Sequence, residues 1–140
     1  MRLFLDTSVI LSASASSNGA SRWIVEESSR HHWELVSADY CKAETTKNLG
    51  KMGGSTRSVF DALVMPSVLW KPDTWVSDYP LLFPKAKDRP VVLAALAARA
   101  DFLLTLDRHD FQGLLGNQVY NVSIRTPGDF LIEMRNGNVI

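Results

Sequence analysis

Short apolar runs separated by helix-forming stretches constrain this chain more than any other feature. Leu3 to Leu5, the "WELVS" run from Trp33 to Ser37, Phe102 to Leu106 and Val119 to Ile124 are each only a few residues long, and helical patterns lie between them. A strand this apolar is buried on both faces. Strands joined through helices are parallel, because right-handed crossovers lay each helix back over the sheet. The pattern predicts an α/β fold with a mostly parallel sheet covered by helices on both sides. The first strand spans Arg2 to Asp6. Helices are expected over Thr7–Ala13, Ala20–Arg30, Asp39–Leu49 (stopped by Gly50, Gly53 and Gly54), Arg57–Val64 (ended near Pro66), Asp88–Ala100, Phe111–Leu115 and Pro127–Arg135. Residues Trp70 to Lys87 carry Pro72, Pro80 and Pro84 and read mainly as loop, with Trp75 and Val76 as the one short strand candidate.

At 140 residues and 46% hydrophobic content the chain is one domain's worth with a real core; we place the domain at 1–135 and a short tail at 136–140. Lys plus Arg and Asp plus Glu both number 15, so any nucleic-acid binding must rest on a local patch or on metal ions. The single Cys41 has neither a disulfide partner nor the Cys/His neighbours of a zinc site, and reads as a small apolar residue in a reducing cytoplasm. No apolar run reaches membrane-spanning length, so a soluble, unexported protein is expected.

Two of the apolar runs end on a carboxylate, Asp6 in "LFLD" and Asp107 in "FLLTLD". Sites in open α/β sheets lie beyond the carboxyl ends of the strands, so if these two strands are parallel neighbours both acids face one crevice. Asp88 opens the helix leading into the second strand, and Glu44 sits in the second turn of the helix after "ELVSA". Each acid has a plain alternative. Asp6, Asp88 and Asp107 stand where a helix N-cap would, and Glu44 would suit a solvated face paired with Lys47 or Lys42. As a set, four converging carboxylates would repel one another unless a cation neutralised them, and oxygen ligands without Cys or paired His point to Mg²⁺ or Mn²⁺.

The segments "LFLDTSVIL", Glu44 after "SADYCKA", "KDRPVVLAALAARADFLLTLDRHDF" and "IRTPGDFL" resemble the PIN-domain ribonucleases, which include the toxin components of VapC-type toxin–antitoxin pairs. The likeness covers nearly the whole chain except residues 50 to 87. It implies a PIN-like three-layer sandwich and a metal-dependent endoribonuclease. The family's acidic positions match Asp6, Glu44, Asp88 and Asp107, with Asp6 and Asp107 as direct metal ligands, Asp88 as ligand or orienter of the attacking water, and Glu44 acting through water. Its hydroxyl positions match Thr7 or Ser8 and Thr105. RNA as substrate, an antitoxin partner and a homodimer are implied in the same way. Lys85, Lys87, Arg89 and Arg108 flank two of the acids and are candidates for phosphate contacts. Asp101 and Asp110 read as turn or cap residues, His109 as solvated, His31 and His32 as a helix end, and Trp70 and Trp75 as core cover rather than base-stacking platforms. Two other readings stand beside it: a PIN-like RNA-binding or regulatory module with weak cleavage, and a phosphate-accepting fold with Asp6 as nucleophile. "DTSV" lacks the second acid that the latter needs.

Overall fold

The computed structural model describes residues 1–73, 88–109, 111 and 113–140, with only the backbone of 88 and 89. In chain order its elements are β1 (Arg2–Leu5), α1 (Thr7–Ala15), α2 (Ala20–Glu27), β2 (Glu34–Ala38), α3 (Asp39–Leu49) and α4 (Gly54–Val59). A π-helical stretch (Phe60–Val64) follows, then α5 (Met65–Ser67), β3 (Val68–Lys71), α6 (Asp88–Ala97), β4 (Phe102–Leu104), β5 (Gln118–Val119), β6 (Val122–Arg125) and α7 (Pro127–Asn136). The six strands form one sheet in the order β3-β2-β1-β4-β6-β5, parallel except for the β5–β6 pair.

Burial explains the strand composition. Leu3, Phe4 and Leu5 of β1 and Leu103 and Leu104 of β4 are fully buried, as strands covered on both faces must be. Helix α1 packs against α2, α3, α4 and the π-helical stretch, and α2 packs on α7, forming one layer. The return from β3 to β4 passes through α6, which rests on β2 and β4; a right-handed crossover in that direction puts it on the other face. The chain moves outward from β1 to β2 and β3, then returns to β4 on β1's opposite side. The strand order therefore reverses between β1 and β4, where α/β sheets open a ligand crevice.

Four expectations are corrected. The strand expected over Phe102–Leu106 ends at Leu104. The single strand over Val119–Ile124 is a hairpin, with Gln118 facing Ser123 and Val119 facing Val122 around Tyr120, whose φ of 54° reverses the chain. The helix over Phe111–Leu115 is a series of turns, because Gly113 in its middle sits at φ 86°. The helix does end near Pro66, at Ser67, but the proline lies inside its last turn. The π-helical stretch before it lengthens the hydrogen-bond spacing, with Met65 N–H reaching Phe60 O, and so opens the helix where a proline ring would meet the carbonyl of Ala62. The chain then enters β3, an edge strand that the proline-based loop reading concealed. Trp75 and Val76 lie outside the described residues.

Candidate functional site

Asp6 ends β1 in an extended conformation and is the N-cap of α1, its Oδ1 accepting from Thr7 N at 2.8 Å. The cap reading is therefore correct for this residue, but it occupies only one oxygen. The other, Oδ2, accepts from two hydroxyls: Ser8 Oγ at 3.0 Å and Thr105 Oγ1 at 2.8 Å. Each hydroxyl in turn accepts a backbone N–H from the segment after β4, Leu106 N to Ser8 Oγ at 3.0 Å and Asp107 N to Thr105 Oγ1 at 3.1 Å. One carboxylate oxygen thus ties the β1–α1 corner to the loop that carries Asp107. The pairing of Leu5 with Leu104, and Asp6 N bonded to Leu104 O at 3.0 Å, brings the two loops together.

Asp6 is 8% exposed, and Thr105 is fully buried beneath it. Burial pushes the Asp6 carboxyl above its ordinary range; the hydrogen bonds from Thr105, Ser8 and Thr7 act against this, and the nearby Asp107 charge adds to it. Asp107 is half-buried and begins no helix among the described residues. Glu44 stands on the exposed side of α3. Its carboxyl is also raised, first by partial enclosure and then by Asp6, while Lys47 pulls it down. Glu44 therefore stands within the electrostatic reach of both Lys47 and Asp6.

The floor is polar but not charged. Burial pushes the Tyr40 phenol well above its usual titration range and the Cys41 thiol above its own, so both favour the neutral form beside Asp6. Ser37 Oγ donates to Leu5 O at 2.8 Å, and the buried Thr7 hydroxyl, which has no conventional hydrogen-bond partner among the described residues, faces the Cys41 thiol. The helix carrying Glu44 has no side-chain cap of its own. Asp73, just past β3, accepts from Tyr40 N at 2.9 Å and serves instead. No local sequence signal marks Asp73, because its partner lies 33 residues away.

The other nominated residues fall in several places. The backbone of Asp88 begins α6; its side chain, that of Arg89, and Lys85, Lys87 and Asp110 lie outside the described residues. Arg108 is exposed next to Asp107, and so is His109. Asp101 is at the opposite edge of the sheet, accepting from Arg2 N at 2.7 Å. His31 lies beyond the end of α2 and stacks on Trp33 at 4.8 Å, so it is a surface aromatic contact and not a helix-terminal charge. Trp70 packs near Phe60 with its Nε1 bonded to Met65 O at 3.1 Å, which makes it core cover.

Among the described residues no three of His, Cys, Asp and Glu form a ready metal cage. The chemistry of Asp6 and Asp107 nevertheless fits a hard divalent cation. The donors are oxygens, and the buried Asp6 carboxylate is disfavoured as an anion by both burial and its neighbour, a cost that a cation would offset.

No protein-family model matches the chain, and no curated protein matches it. Among solved structures, that of VapBC2 from Rickettsia felis bound to a DNA fragment from their promoter is similar over 90% of this chain and 98% of that one, with a TM-score of 0.64 and 14% identity. At that identity the likeness is one of fold: this chain is a PIN-like three-layer α/β sandwich whose mostly parallel sheet carries Asp6 and Asp107 at its switch point.

Proposed function

We propose that this protein is a divalent-metal-dependent endoribonuclease acting in the cytoplasm, the toxin-like member of a pair with an antitoxin-like partner, and a homodimer. The observation that carries the reading is the joining of Asp6 and the Asp107 loop through Thr105 and Ser8 at the switch point. The fold shared with the VapBC2 structure supports it. Asp6 and Asp107 would hold Mg²⁺ or Mn²⁺, with Asp88 as a further ligand or water orienter and Glu44 acting through water. When bound, the ion supplies Lewis acidity that stabilises charge on a phosphate and makes water more acidic. Thr105 and Ser8 fix the Asp6 carboxylate so that one oxygen keeps a constant direction, and Thr7 N–H holds the other. Glu44, at the solvated lip and with a raised pKa, is suited to pass a proton between water and the leaving oxygen.

The test uses several structured and unstructured RNAs with Mn²⁺ or Mg²⁺, and DNA of matching sequence as the sugar control. Internal RNA cleavage is expected, abolished by chelation and lowered at least 100-fold in Asp6→Asn and Asp107→Asn. RNA binding without cutting under either ion would make the protein a binding module instead. Cleavage undiminished in both variants would place the activity elsewhere.

A further inference from the structure

On α3, Tyr40, Glu44, Lys47 and Lys51 follow at intervals of four, three and four residues, so they lie along one face of the helix and the turn that continues it. The opposite face carries the buried Cys41, Thr45 and Leu49. The ridge therefore begins half-buried at the crevice with Tyr40, passes the Glu44 carboxylate, and ends on two exposed ammonium groups. Lys47 is close enough to act on the Glu44 carboxyl, which also feels Asp6, so its charge falls within the field of the crevice acids. Across the crevice, the loop after β4 presents exposed Arg108 next to Asp107. Cations thus stand on both sides of the acids, Lys47 and Lys51 leading away along α3 and the turn that continues it, and Arg108 beside Asp107. In a chain whose charges sum to zero, this ridge offers a polyanion local positive charge before it meets Glu44 and Asp6.

We infer that Lys47 and Lys51 on α3, opposite Arg108, form a track for the phosphodiester backbone of a single-stranded nucleic acid, which enters along α3 and crosses the acid crevice. This rests on the nuclease reading for its direction, since the strand must pass Asp6 and Asp107. Its binding component can be tested apart from cleavage. The ridge acts on phosphates and reads no bases, so its contribution is electrostatic and disappears with salt.

The test measures binding of a fluorescent unstructured RNA 20-mer, and of DNA of the same sequence, to the full chain in EDTA across a salt series. Cleavage with Mn²⁺ is followed in parallel. Each lysine that contacts a phosphate contributes ~0.7 to the slope of log K against log salt on a single strand, so Lys47→Ala/Lys51→Ala should lower it by about 1.4. Arg30→Ala, on the exposed turn after α2, should leave it unchanged. Lys47→Arg/Lys51→Arg should restore it, which a merely structural effect would not do. An unchanged slope in the double alanine variant overturns the inference even if the wild type cuts RNA. A lowered slope in the double alanine variant, with a wild type that never cuts, supports the track and removes the nuclease reading. Loss confined to RNA would assign the track to RNA, and equal loss on both to any single strand. No measurable binding of either strand at low salt overturns it outright.

Discussion

At the scale of single residues, Asp6 carries two opposed demands. Its backbone position and Oδ1 start α1, while burial and Asp107 make its ionised form costly. The folded chain therefore keeps the Asp6 proton to a higher pH than the unfolded chain, whose carboxyl titrates near 3.8. Its contribution to stability is most favourable below about that pH and declines as pH rises through the raised folded value. Metal-free Asp6→Asn should thus melt no lower than wild type at pH 7, with its relative advantage shrinking toward pH 4, and added Mn²⁺ should raise the melting temperature of the wild type only. Thr105 behaves differently, because it gives one hydrogen bond to Asp6 and takes one from Asp107 N. Thr105→Val keeps the shape and leaves both partners short. A loss of about 1–3 kcal/mol in denaturant unfolding is expected, with a fall in cleavage of roughly 10- to 100-fold, and Thr105→Ser should recover most of each. The acids at the strand ends were visible in the sequence because an apolar run ending on a carboxylate is a local pattern. Asp73 was not visible, since its role depends on a partner brought near by the pairing of β2 with β3.

At the scale of elements, sequence patterns located most helices and the three interior parallel strands, and failed where backbone geometry prevailed over side-chain pattern. The Phe111–Leu115 segment has helical apolar spacing, but its glycine adopts a left-handed turn and the buried Phe111 anchors the loop instead. Removing that anchor should be costly: Phe111→Ala is expected to lose about 3–5 kcal/mol by calorimetry, as a buried ring leaves a cavity. Phe111 N bonds to Asp107 O at 3.1 Å, so the same variant should weaken metal binding without altering any ligand. Gly116, at φ 85° with its N–H on Ile124 O, holds the approach to the β5–β6 hairpin; Gly116→Ala should cost about 1–2 kcal/mol through backbone strain alone. The missed strand β3 has a different cause. Pro66 and Pro72 bracket it, and proline punctuation reads as loop unless the π-helical stretch that accommodates Pro66 is known.

At the scale of the whole molecule, the three-layer architecture was legible because strands buried on both faces leave little choice, and with it the expectation that a site lies beyond the strands' carboxyl ends. What the pattern could not supply was the order of strands across the sheet, which decides that Asp6 and Asp107 are neighbours. That order also has a consequence in time. β1 is made well before its partner β4, which lies about a hundred residues later, and the Asp6 carboxylate is completed only by Thr105 and Ser8 acting on that late segment. A ribosome that has released only the first 73 residues has made a strand of fully buried type, Leu3 to Leu5, with one edge open to any passing strand. The isolated 1–73 fragment should accordingly aggregate, as light scattering would show, and addition of a soluble 88–140 fragment during refolding should suppress it. A protein that remained monodisperse as the 1–73 fragment would contradict this. The same separation has a functional side: the hydroxyl and backbone contacts that fix Asp6 cannot form until Thr105 to Asp107 have been made and folded against β1.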